Sequence, residues 1–117
     1  MTSKAEEMWQ KAENHYISLI DNGLDQKPIL DYLQFLKTSE KAKNWYSWTS
    51  LNYLILSKFD SYPEFMDNRL VSIVYHPQWD FTIEFKHRFN TTEKDLHLGR
   101  SEIGNEQLLD DIEAWLA

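Results

Sequence analysis

Residues 41–59, KAKNWYSWTSLNYLILSKF, decide the fold. Wound as a helix, they set Trp45, Trp48, Leu51, Tyr53, Leu54, Ile55, Leu56 and Phe59 around most of a cylinder. A helix apolar on nearly every side belongs between other elements, buried. Pro63 ends it, because the residue before a proline resists helical dihedrals. The spacing therefore predicts a long buried helix over Lys41–Phe59, the third in the chain. At helical spacing Trp45 and Trp48 join its core face rather than stacking a planar ligand.

Towards the N-terminus the apolar period is also helical. Ser3-Lys4-Ala5-Glu6 has the form of a capping box, with the serine accepting a backbone N–H. Met8, Trp9, Ala12, Tyr16, Leu19 and Ile20 follow on one face, and Asn22-Gly23 is a stop. Asp25 as cap and Pro28 in the first turn announce a second helix. Its stripe is Ile29, Tyr32, Leu33 and Leu36, widened by Leu30 and Phe35.

Towards the C-terminus the period drops to two. LVSIVY (Leu70–Tyr75) is rich in β-branched residues, and FTIEFKHRF (Phe81–Phe89) alternates throughout. Phe81, Ile83, Phe85, His87 and Phe89 share one face, Thr82, Glu84, Lys86 and Arg88 the other. The proline-led HPQWD turn between the runs makes an antiparallel hairpin. DLHLGR adds a short third strand through Leu96 and Leu98, and Asn105 caps a closing helix. The expected fold is α+β: three N-terminal helices packed on a small antiparallel sheet, closed by a C-terminal helix. At 117 residues the chain, 1–117, reads as one domain.

Composition narrows the function. With 17 aromatic residues and 42% apolar content the chain is not a disordered one. It has no cysteine, which excludes disulfides, thiol catalysis and cysteine-bound zinc. No run approaches the ~18 apolar residues of a membrane span, and no leader pattern opens the chain; the default location is cytoplasmic. The formal charge is −7. Residues 1–60 hold seven lysines against eight acids, whereas residues 61–117 hold five bases against eleven acids. Such a field disfavours direct nucleic-acid binding and favours a basic protein partner.

Candidate site residues follow from this asymmetry. In NEQLLDDIEAWLA (105–117), Leu108, Ile112 and Trp115 share an apolar face, while Glu106, Asp110 and Glu113 form a ridge opposite. The segment contains no Lys or Arg. Acids near a helix C-terminus oppose the dipole at a cost of about 0.3–1 kcal/mol each, and a basic partner would reverse that sign. Otherwise the ridge is a solvated surface. Glu102 extends the acidic set, and Trp79 at the hairpin turn is the natural aromatic anchor. The hairpin's other face mixes Leu70, Ser72 and Val74 with Glu84, Lys86 and Arg88; it is either covered or offered to a partner.

Enzyme chemistry has a thinner basis. Asp80, Glu84 and Lys86 would share a strand face in the acid/acid-x-Lys pattern of metal-dependent nucleases, where carboxylates hold Mg²⁺. The pattern is short, and no basic groove accompanies it. No two of His15, His76, His87 and His97 have metal-ligand spacing, and His87 reads as a neutral core histidine in an aromatic row. No metal or cofactor is expected.

In size, charge and the acidic closing helix with Glu106, Asp110 and Glu113, the chain resembles bacterial immunity proteins. These are inhibitors that bind a cognate toxin, often a basic nuclease. The likeness is of class, without a family motif, and phage-encoded inhibitors of nucleic-acid enzymes share the profile. It implies a non-enzymatic domain that occludes a basic active-site surface with Glu102, Glu106, Asp110, Glu113 and Trp79. The alternative is a small adaptor or self-associating domain that binds through the hairpin edge or outer face.

Overall fold

A computed structural model describes residues 3–117. Two helices, α1 (Lys4–Asp21) and α2 (Lys27–Lys37), lead through a short 3₁₀ turn at Ala42–Asn44 into a sheet. The strands are β1 (Tyr46–Ser50), β2 (Tyr53–Ser57), β3 (Leu70–His76), β4 (Asp80–Arg88) and β5 (Thr91–Leu98). A single-turn helix, α3 (Glu64–Asp67), interrupts the run between β2 and β3, and α4 (Glu106–Leu116) closes it. Each strand pairs antiparallel with the next, so the sheet is a meander in the order β1-β2-β3-β4-β5. The class is α+β, as expected, with five strands rather than three.

The expected helix over Lys41–Phe59 is a β-hairpin instead. Ser50 pairs with Tyr53, leaving Leu51 and Asn52 as a two-residue turn. In β2, Leu54 and Leu56 point into the main core while Ile55 joins a second cluster on the opposite face, all three buried. A strand buried on both faces is apolar without a break, and period alone does not separate it from a buried helix. The turn is also unmarked by glycine: Leu51 takes φ 55°, a left-handed conformation that side chains resist. Its side chain is 80% exposed. Leu51→Gly is expected to stabilise the fold by about 0.5–1 kcal/mol, relieving that cost against added chain entropy. Chemical denaturation measures it.

One face of the sheet builds the core. Val71, Ile73 and Tyr75 of β3 lie opposite Phe85, Ile83 and Phe81 of β4, with Leu56 and Leu54 of β2 alongside. The three long helices supply the cover: Trp9, Ala12 and Tyr16 from α1, Ile29, Leu33 and Leu36 from α2, Leu108, Leu109 and Ile112 from α4. Ser3 caps α1 by accepting the Glu6 N–H at 3.1 Å. The cap of α2 is Gln26, not Asp25, and its side chain makes no capping bond; it donates to the carbonyls of Asp25 and Tyr75 instead.

The inward row of β4 stops at Phe85. A register break after it turns His87 and Phe89 outward, so both are exposed, where simple alternation placed them in the core. His87 lies 3.2 Å from Glu93 and packs on Trp115. The opposite face of the sheet is half covered. Phe65 of α3 stacks on Trp48 at 4.0 Å between centroids and joins Ile55 and Leu70 in the second cluster. Val74, beyond that cover, remains half-buried.

Candidate functional site

The acidic ridge of α4 is built as the sequence indicates, but it is not without bases. Asn105 caps the helix, its side chain accepting the Leu108 N–H at 2.7 Å. Leu108, Leu109, Ile112 and Leu116 are buried, which leaves Glu106, Asp110 and Glu113 on the far side. There Lys41 hydrogen-bonds Asp110 and stands 3.9 Å from Glu106. Lys58 donates to Glu113 at 2.7 Å, and the Trp45 indole N–H donates to the same carboxylate. Asp111 accepts from Gln107 at 2.9 Å. Glu102 lies outside the ridge: its carboxylate accepts the Gly99 N–H at 2.9 Å and ties down the loop before α4. The absence of bases within 105–117 therefore does not leave the ridge unanswered, because Lys41 and Lys58 arrive from distant segments.

Titration follows this geometry. The hydrogen bond to Asp110, with the charges of Asp110 and Glu106, holds the Lys41 ammonium above its ordinary pKa against partial desolvation. For Glu113, burial pushes the pKa up, yet hydrogen bonds from Lys58 and Trp45 and the Lys58 charge outweigh it; the net shift is downward. A lowered folded-state pKa stabilises the fold above the ordinary glutamate value of 4.5, and that stability is lost as pH falls through the folded value. Glu113→Gln should therefore lower the thermal midpoint at neutral pH, and the gap to wild type should close in acid below 4.5. Melting curves from neutral pH to pH 3 measure it.

Trp79 occupies a different end of the molecule. It stands in the β3–β4 turn, 67% exposed, with the His76 ring stacked beneath it at 4.2 Å. With Thr82 and His97 it borders an open depression of about 510 Å³ on the outer face. The register continues this row across the sheet as Tyr53, Val74, Thr82 and His97. The β1–β2 turn lies at the same end, carrying exposed Leu51. Leu51 in the β1–β2 turn and Asp80, where β4 begins, both take positive φ (55° and 58°). Exposed apolar side chains therefore cluster at this end beside backbone in the left-handed region. Trp79 lies in the turn where the sequence places it, whereas Leu51 and Tyr53, core residues in the expected helix, are exposed.

Strand β5 runs along the free edge from this site, exposed over most of its length. Its acids Glu93 and Asp95 have histidines as nearest bases: His87 at 3.2 Å and His97 at 3.7 Å. Glu84, opposite Asp95 in the register, accepts from Thr92 at 2.9 Å and lies 3.8 Å from Lys86.

Of the acid/acid-x-Lys pattern, Glu84 and Lys86 stand together at 3.8 Å, but Asp80 is engaged elsewhere. Asp80 turns to Arg100 at 3.8 Å, while Lys86 also donates to the Phe89 carbonyl. Among the described residues no group of three His, Asp or Glu side chains is placed to hold a metal ion. No described helix is long and apolar enough to cross a membrane. No family model, curated protein or solved structure matches the chain.

Proposed function

We propose that this chain is a non-enzymatic, acidic protein-binding domain of the inhibitor or immunity type, directed at a basic partner. The docking surface is the outer face of β4–β5, anchored by Trp79 and flanked by Leu51 and Tyr53. The carrying observation is Trp79 itself: a tryptophan left 67% exposed, propped by His76 over an open depression. Rigid aromatic anchors ringed by polar groups are where interfaces concentrate their binding energy. Glu106, Asp110 and Glu113 of α4, each already near a lysine, contribute to the long-range field more than to direct contact. Among the described residues, Glu84, Glu93 and Asp95 meet no lysine or arginine from another element and are the better contacts for a basic surface.

The test is binding to the product of the neighbouring gene, measured at low and high salt. A basic toxin domain bound in a salt-sensitive way supports the proposal, since charge matching is screened. Salt-insensitive binding would instead favour strand addition along the β5 edge, the adaptor reading, because backbone pairing tolerates salt.

A further inference from the structure

Strand β5 closes the sheet, and among the described residues nothing pairs along its outer side. Its pairing with β4 runs unbroken over Lys94–Leu98; the register shifts lie beyond, at Phe85/Lys86 and Lys86/Arg88. An edge strand is a template for another strand unless proline, a bulge or charge guards it. Lys94–Leu98 has no proline and no bulge. It does carry Lys94, Asp95 and His97, and whether these repel a second strand depends on what they would face.

The β4 register fixes the faces. Lys94, Leu96 and Leu98 lie beside Phe85, Ile83 and Phe81 on the core side, and Asp95 and His97 beside Glu84 and Thr82 on the outer side. Leu96 and Leu98 pack against the core yet are only partly buried. Consider a second copy of β5 approaching antiparallel about a two-fold axis normal to the sheet. Each residue must then oppose one of the same face, so the axis passes through a residue. Centring on Lys94 sets lysine against lysine, and centring on Asp95 sets aspartate against aspartate; like charges directly opposite destabilise a pair. Centring on Leu96 pairs the whole stretch Lys94–Leu98 with no such clash. The strand is complementary to itself in that register.

We propose that β5 pairs with β5 of a second copy of this chain, centred on Leu96, joining two five-stranded sheets into one. On the core side Leu96 meets the second copy's Leu96, and the Lys94 stem lies along the second copy's Leu98. On the outer side Asp95 faces the second copy's His97, twice by symmetry. The chain thus supplies on both sides what its edge leaves half-covered. The pairing uses the edge backbone rather than the Trp79 surface, so it stands or falls separately from the proposed function.

The test needs no partner protein. Sedimentation equilibrium from about 10 µM to about 1 mM follows the mass, because so short an edge contact makes a small, transient interface. The mass should climb toward twice the monomer, and amide shifts that depend on concentration should fall in Lys94–Leu98. His97→Glu sets a carboxylate opposite the second copy's Asp95 at both contacts and should weaken association about tenfold or more. Adding Asp95→Lys converts the same contacts into two opposite-charge pairs and should restore association to the wild-type level or beyond. Gln34→Glu makes the same change in net charge on an exposed face of α2 and should leave association unaltered. Restoration by the double variant supports this register. A monomer throughout the range, shifts centred on β1, or association indifferent to His97→Glu overturns it. So does a double variant no better than His97→Glu, or an equal loss in Gln34→Glu.

Discussion

Replacing Trp45 with alanine is expected to lower the unfolding free energy by about 3–5 kcal/mol, the largest single-residue effect in this molecule. Trp45 is fully buried and links three elements. Its carbonyl accepts the Trp9 indole N–H of α1 at 3.1 Å, and its own indole N–H reaches Glu113 of α4. Alanine would open a cavity between α1, β1 and α4 and leave Glu113 with Lys58 alone. For a domain of this size the thermal midpoint should fall on the order of 15 °C. Trp45→Phe separates the contributions. It retains most of the packing and removes the donor, so it should cost only about 1–2 kcal/mol. Urea unfolding of the two variants provides the comparison; an alanine effect below about 1 kcal/mol would mean that Trp45 does not join α4 to the sheet.

Trp79→Ala carries the largest expected effect on binding. Truncating a central aromatic anchor costs at least about 2 kcal/mol of affinity, roughly thirtyfold. Stability should change by less than about 0.5 kcal/mol, because the side chain lies mostly in solvent. The informative control is on α4. Glu106→Gln with Asp110→Asn removes two charges from the ridge without placing a lysine beside Lys41. If the ridge is a secondary contributor, affinity should fall by less than about threefold. Reversal to lysine is a poorer probe, since it would set like charges together and weaken the fold itself.

Elements with a clean period were legible. The α1 stripe from Met8 to Ile20, the α2 stripe, the β3–β4 hairpin and the Asn105 cap all follow from local spacing, and the fold keeps them. What failed was decided at long range. Leu54, Ile55 and Leu56 are apolar in a row because β2 is covered on both faces, and the covering residues Phe65 and Trp48 are not visible from the run itself. The turn at Leu51-Asn52 has no glycine to announce it. His87 leaves the core because β4 breaks register, a property of its pairing with β5 rather than of its own alternation. The same blindness affected the site. A scan of 105–117 finds no base, yet Lys41 and Lys58 lie 69 and 55 residues away from their acids. The exposure of Trp79 was legible because it falls in a proline-led turn.

The proposal on which the rest depends is that the surface open to a cationic partner is the outer β4–β5 face with Trp79, because Glu106, Asp110 and Glu113 are answered from within the chain by Lys41 and Lys58. The most direct test is to titrate a short Lys/Arg-rich strand peptide into the isotope-labelled protein and map amide and indole shifts. Shifts concentrated at the Trp79 indole, Thr82, Glu84 and Thr91–Leu98 are the predicted result. Shifts centred on Glu106, Asp110 and Glu113, with Trp79 and β5 unmoved, would contradict it.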